Sequence, residues 1–357
     1  MDMTYECATL AAHYLDKNLE TIAKSATDKV WNNNPEWDAR FGESGKDRCL
    51  EDARYHLLQL RESVRANSPA LFHHYLEWSR TLLESLKIGS KDLDVFLESI
   101  GTTLQGHEGQ NDINLHLHSF IVTGRHHLTE NPYQAGFSFL PKEEPLATLS
   151  HNYLDNMLAL RRKESCRLIL EAVKNGITIR DIYLGVFQPV QHEVGLLWQT
   201  NRISVATEHY CTATTQWVMS QLYPMIFSDT TPEHRVIATS VGGELHEIGI
   251  RMVADLFELA GWESMFLGAS VPAEGIIAAI KEFQPHVLAL SVTLPFHLSI
   301  LMELIEKIRT LFPEEKLPIL VGGLPFNQDG NLWKRVGAQA SAPDGDTAVR
   351  EAVKLIV

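Results

Sequence analysis

Apolar positions recur at three- and four-residue steps from Tyr5 to about Leu128. Leu50, Ala53, Leu57, Leu60 and Val64 form one such stripe, and Leu71, Tyr75, Trp78 and Leu82 the next. That spacing puts side chains on one face of a helix. Asn67-Ser68-Pro69 reads as a helix start, a capping residue followed by proline at the first helical position. Asn32-Asn33-Asn34-Pro35, Phe41 to Gly45, and Gly101 mark breaks. The pattern predicts an all-helical domain of four to six helices over residues 1–130. Residues 131–145, with Pro132, Pro141 and Pro145, read as a linker, because the residue before a proline is pushed out of the helical region. A second helical block over 146–228, with Gly176 as a C-cap, has the length of a four-helix bundle.

After Pro232 the period changes. Short apolar runs, Val236 to Val241, Glu263 to Leu267, Val287 to Val292, Ile319 to Val321 and Ala338 to Ala340, alternate with helix-like segments. Strand and helix in alternation predict a parallel sheet covered on both faces. Residues 233–357 are thus expected to form a flavodoxin-like, Rossmann-like domain of five parallel strands, with its ligand outside the carboxyl ends of the strands. The fold class expected for the whole chain is multidomain, α followed by α/β.

Composition narrows the function. The chain has 357 residues, 31 Lys+Arg against 45 Asp+Glu, and a net charge of −14. Residues 1–135 hold 13 Lys+Arg and 20 Asp+Glu, 13 − 20 = −7. Such a surface repels a phosphate backbone, so no direct nucleic-acid partner is expected. No apolar run has the roughly 18 residues of a membrane span, and Met1-Asp2-Met3-Thr4 lacks the features of a signal peptide, so a cytoplasmic protein is expected. Cys7, Cys49, Cys166 and Cys211 are too dispersed for a zinc site or disulfide framework. The glycines match neither G-x-G-x-x-G nor a P-loop.

The candidate chemistry starts at Glu244-Leu245-His246-Glu247-Ile248-Gly249, which follows the first strand-like run and opens a helix. A histidine alone is more often structural than ligating. Its place at a strand end, a carboxylate two residues earlier and Gly249 two residues beyond Glu247 favour a metal ligand whose other ring nitrogen Glu244 supports. Ser291-Val292-Thr293 and Gly322-Gly323 follow two further strands. In the middle block, Trp198 is followed after nine residues by Glu208-His209. Trp198 reads equally as a core aromatic and Glu208 as a surface charge, but the polar pair interrupts an apolar stretch, where buried polar groups need partners.

On these motifs, residues 146–357 resemble the cobalamin-binding module shared by methionine synthase, corrinoid methyl carriers and CarH-type light-dependent repressors. The resemblance implies His246 as the lower cobalt ligand, in place of the cofactor's own benzimidazole. It implies Gly249, Ser291, Val292, Thr293, Gly322 and Gly323 around the displaced nucleotide tail, with Glu244 where many relatives have Asp. The Trp, nine residues, Glu-His pattern resembles the CarH-type photoreceptors in particular. There Trp198 and Glu208 would pack on the adenosyl group of adenosylcobalamin, and His209 would become the upper cobalt ligand after photolysis. Asn201-Arg202 stands where a glycine is common.

The N-terminal block also resembles that of photocobilins, which place biliverdin beside cobalamin, and Arg54, Tyr55 and His56 supply the residue types of a bilin pocket. Three neighbours on a helix cannot all face one ligand equally. The resemblance implies a light sensor that binds adenosylcobalamin, with biliverdin as second chromophore, a light-dependent homo-oligomer such as a dimer, and a separate downstream partner. The rival readings are a corrinoid methyl carrier of a methyltransferase system and a cobalamin storage or chaperone protein.

Overall fold

The computed structural model describes residues 3–106, 111–134, 136–227 and 231–356. They form two compact units, divided between Gln134 and Ala135. The first holds α1 (Met3–Asn33), α2 (Glu36–Phe41), α3 (Gly45–Arg65), α4 (Pro69–Ser85), α5 (Ser90–Gly106) and α6 (Asn111–Glu130). Its core is built from Leu15, Ile22, Leu57, Leu60, Phe72, Leu97, Ile100 and Leu117, all fully buried. The breaks expected at Pro35 and Gly42 separate helices, whereas Gly101 lies inside α5. A Cβ at Gly101 would sit 3.2 Å from Ile121 Cγ2 and 3.3 Å from His118 Cδ2. The missing side chain is therefore a packing device between α5 and α6 rather than a helix stop.

The second unit begins with 136–145, which carries no helix, and continues through a four-helix cap: α7 (Leu146–Leu158), α8 (Arg162–Lys174), a third rod and α11 (Val205–Leu222). The third rod runs from α9 (Ile179–Ile182) through a π-helical turn at Tyr183–Phe187 into α10 (Gln188–Gln199). Pro189 accounts for part of the irregularity, since it has no N–H to give to the Gly185 carbonyl four residues earlier. The Ser150 hydroxyl donates to that carbonyl at 3.0 Å instead.

The sheet follows, with β1 (Arg235–Ser240), α12 (Ile248–Leu259), β2 (Glu263–Gly268), α13 (Ala273–Phe283), β3 (Val287–Ser291), α14 (Leu298–Leu311), β4 (Ile319–Gly322), α15 (Leu324–Gln328), α16 (Leu332–Arg335), β5 (Ala340–Ala342) and α17 (Gly345–Ile356). All pairings are parallel and the order is β2-β1-β3-β4-β5. The fifth strand starts at Ala340, two residues later than the apolar run suggests. Val236, Ala238, Val287 and Ala289 face α12 and α17 through Ile250, Ala254, Phe257 and Ala348. By the two-residue period of a strand, Ile237, Leu288 and Leu290 face the opposite side.

α12 is apolar on two sides: Met252 and Leu256 join the core of the cap, while Ile250 and Ala254 join that of the sheet. The cap is therefore seated beside the carboxyl end of β1. Between β1 and β3 the strand order reverses, the point at which doubly wound sheets take their ligands. Among the described residues no helix is long and apolar enough to cross a membrane.

Candidate functional site

The turn after β1 is shaped by Gly243, whose φ of 79° favours glycine, and it carries the Glu244 carboxylate inward to full burial. Both oxygens are anchored. Oε1 accepts the His246 backbone N–H at 3.0 Å and faces its ring Nδ1 at 2.6 Å. Oε2 accepts the N–H groups of Thr293 at 2.8 Å and Leu294 at 3.0 Å, with His297 Nδ1 also at 3.0 Å. Burial by itself would raise the pKa of Glu244, but hydrogen bonds from the His246 ring and backbone, Leu294 and His297 outweigh it and hold the carboxyl well below its usual range. Glu244 is thus an anion at neutral pH.

An anion at that place makes Nδ1 the protonated nitrogen of His246 and leaves Nε2 to carry the ligating lone pair. The ring is 57% exposed. Its pKa is raised, first by the hydrogen bond to Glu244 and further by the charge of Glu208, against the effect of burial. The Ser240 hydroxyl donates to the His246 carbonyl at 3.1 Å, so backbone and ring are both fixed.

The other strand ends divide by task. Ser291 is buried, and Val292 is fully buried with its N–H bonded to the Gly322 carbonyl at 3.0 Å. The Val292 side chain points into the core, and its backbone is the surface against which Gly323 packs. A Cβ on Gly323, at φ 106°, would lie 1.9 Å from the Val292 oxygen. Gly322 is similarly close to the Ala342 carbonyl, at 3.2 Å from an added Cβ. Beside Gly249 the space is open, with no atom within 4 Å of an added Cβ. Thr293 acts through its N–H on Glu244.

The cap supplies the facing side. Trp198, 39% exposed, lies at the end of α10. Asn201 takes the left-handed conformation, φ 55°, so asparagine does the work of the glycine expected in that turn. Ser204 then caps α11, accepting from the Thr207 N–H at 3.2 Å. Glu208 closes its first turn and His209 follows, with the carboxylate hydrogen-bonded to the ring through Nδ1. The Thr212 hydroxyl donates to Glu208 at 2.9 Å. Further along, Gln216 of α11 donates to Glu247 at 2.7 Å, which ties the cap to the His246 loop.

Leu245, next to His246, is 75% exposed, and Val205 is also exposed. A free imidazole nitrogen backed by a carboxylate, beside exposed apolar side chains, suits an axial cobalt position and a corrin rim. Among the described residues no group of three or more His, Cys, Asp or Glu could chelate a metal. Sequence reasoning missed His297, which no motif marks, and the roles of Thr212, Gln191 and Gln216.

The bilin candidates are not brought together. Arg54 pairs with Glu20 at 2.9 Å, and Tyr55 is 61% exposed. His56 is buried, its Nδ1 2.8 Å from the Tyr75 hydroxyl and its ring against Phe96. Burial pushes the His56 pKa down to about 4. Consecutive helical positions point about 100° apart, and here they reach an ion pair, the surface and the core.

Comparison with known proteins places the chemistry. Residues 234–353 match the B12 binding domain family, and residues 149–223 match a second B12 binding domain family. Over 123 residues the chain is 28% identical to dimethylamine corrinoid protein 1 of Methanosarcina mazei, covering 34% of this chain and 56% of that one. A corrinoid protein of Desulfitobacterium hafniense is 28% identical over 130 residues, 36% of this chain and 59% of that one. The chain thus spans little more than half the length of these curated relatives. The fold of the monomethylamine corrinoid protein of Methanosarcina barkeri superposes with a TM-score of 0.53 at 19% identity, covering 59% of this chain and all of that one. The cap and the sheet, residues 149–223 and 234–353, are thus each similar to B12 binding domains.

Proposed function

We propose that the second unit holds cobalamin with His246 as lower ligand and presents the upper face to its cap, as a corrinoid methyl carrier does. The observation that carries this is the Glu244–His246 pair at the switch point between β1 and β3, anchored at 2.6 Å. The similarity to dimethylamine corrinoid proteins supports the carrier reading over the light-sensor reading. Bound cobalamin would supply a cobalt–carbon bond, able to transfer a methyl group or to break in light. Glu244 orients the imidazole and keeps its Nδ1 proton, while Gln216 and Glu247 hold the cap over the loop.

A second reading, the adenosylcobalamin light sensor, is favoured by one observation on the cap. His209, 75% exposed, carries its own carboxylate partner and stands near the start of α11, four residues after the exposed Val205. Methyl transfer to an acceptor has no need of a second prepared imidazole. In this reading Trp198, Glu208 and His209 would hold the cap-facing side of adenosylcobalamin, which would supply a light-sensitive cobalt–carbon bond, and movement of the cap would alter association between copies of the chain. Biliverdin in the first unit belongs to this reading alone, and its pocket is not Arg54-Tyr55-His56 acting together.

One experiment separates the two. Apoprotein is loaded with methylcobalamin or adenosylcobalamin, and absorption and mass in solution are followed in the dark and under light, with and without a methyl acceptor such as a thiol and its methyltransferase. Light-driven change in both spectrum and mass, lost in His209→Ala, identifies the sensor. Dark methyl transfer that survives His209→Ala identifies the carrier. Tight binding with neither response leaves storage.

A further inference from the structure

The cap's histidine is not held by Glu208 alone. Glu208 is gripped at both oxygens, Oε1 by the Thr212 hydroxyl at 2.9 Å and Oε2 by His209. Thr212 is one turn after Glu208 on α11, and its hydroxyl also lies 3.3 Å from the Gln191 side-chain oxygen on α10. The nitrogen of Gln191 donates to Thr215 at 2.6 Å, and Thr215 meets the fully buried Tyr153 hydroxyl at 3.0 Å. A continuous row of polar contacts therefore runs from the cap's core, Tyr153 to Thr215 to Gln191 to Thr212 to Glu208, and ends on His209.

Gln191 and Trp198 are seven residues apart, two turns, so they share a face of α10. The same plan stands across the site at Glu244, where two histidines and three N–H groups fix a carboxylate before it orients His246. The surface position of Glu208 needs such support more than buried Glu244 does, because a free carboxylate on a helix samples several rotamers.

We infer that Thr212 is a positioning residue for the upper face: its hydroxyl fixes the Glu208 carboxylate, which holds the Nδ1 proton of His209 and leaves Nε2 turned out as a prepared cobalt ligand. The inference rests on the second reading above, in which His209 meets cobalt. Without Thr212, Glu208 is free to rotate away and His209 distributes its proton between both nitrogens. Outer partners of a ligating histidine are worth about 10- to 100-fold in metal binding, and the lower end of that range fits an exposed pair.

The test has two arms. Apoprotein labelled with nitrogen-15 histidine, with His209 assigned from the signals missing in His209→Ala, reports which ring nitrogen carries the proton. Wild type and Thr212→Ser should show the proton on Nδ1, and Thr212→Val a mixture. Aquocobalamin is then added, and the growth of the absorption change that depends on His209 is timed. It should slow about 10-fold in Thr212→Val and return to the wild-type rate in Thr212→Ser.

Unchanged tautomer and unchanged rate in Thr212→Val would overturn the inference. An absorption change that is the same in wild type and His209→Ala would overturn the second reading itself. The two failures are distinct, because the nitrogen-15 arm contains no cobalamin.

Discussion

His297 Nδ1 lies 3.0 Å from Glu244 Oε2, on the oxygen opposite the one that takes the His246 ring at 2.6 Å. One buried carboxylate thereby joins the ends of β1 and β3. Every lone-pair direction on it faces a donor, and this is what a neutral amide cannot satisfy. In Glu244→Gln one end becomes an NH2 that must point at N–H groups whichever way the amide is turned. Cobalamin affinity should fall about 10- to 100-fold, measured by titrating apoprotein with aquocobalamin, and His297→Ala should fall less. Equal affinity for Glu244→Gln and wild type would remove Glu244 from the binding account.

Two glycines at the site should respond in opposite ways. Gly323→Ala places a Cβ 1.9 Å from the Val292 oxygen at a φ of 106° and should cost roughly 2–4 kcal/mol of stability without any ligand. Gly249→Ala meets nothing within 4 Å and lies in α12, where alanine is favoured by up to about 1 kcal/mol. Its melting temperature in the free protein should hold or rise while cobalamin affinity drops. A Gly249→Ala protein that binds cobalamin as wild type does would place the corrin elsewhere.

Asp255 should make the second unit more stable in mild acid. It is buried on α12 and accepts from the Tyr183 hydroxyl at 2.7 Å. Burial raises its pKa to about 6, against the opposing effects of Tyr183 and Arg251. The folded state therefore holds a proton that the unfolded chain releases near pH 4. By linkage the associated stability is full below about pH 4 and is lost as pH rises through about 6, a change of about 3 kcal/mol. Asp255→Asn should remove that slope and be the more stable protein at pH 7.5. Hydrogen exchange in α12 measures it, and identical pH profiles for the two proteins would contradict the assignment.

His56 should act with the opposite sign in the first unit. Its folded pKa, about 4, is below the ordinary 6.5, so the unfolded chain binds the proton first. The stability it confers is full above pH 6.5 and is lost as pH falls toward 4, again about 3 kcal/mol. Hydrogen exchange in α3 and α4 between pH 7 and pH 4.5 should accelerate in wild type and much less in His56→Gln. A wild-type exchange rate flat over that interval, after correction for intrinsic rates, would show that His56 titrates normally.

Much of this architecture could be read along the chain. The change from a period near 3.6 to short apolar runs after Pro232 reports a local property, which face of each element is buried, and that is enough to distinguish a helical block from a parallel sheet. The Glu244-Leu245-His246 run was equally visible, because one turn contains both partners. Gly101 shows where such reading stops. Its sequence signature is the same as a helix-ending glycine, and only the approach of α6 at 3.2 Å explains it. Arg54, Tyr55 and His56 show the converse, since residue types suited to one ligand were adjacent in sequence and divergent in space.

The sequence by itself determined the order of the elements, the acidic surface and the histidine poised at a strand end, all of which depend on residues within a few positions of one another. Only the tertiary structure decided that His297 and the N–H groups of Thr293 and Leu294 meet Glu244 from about 50 residues away, that Gln191 reaches across from α10 toward Thr212, and that Val292 serves through its backbone. Those relations arise when parallel strands align their carboxyl ends and the cap helices pack, and the pattern of any one segment contains no record of which distant donor will arrive there.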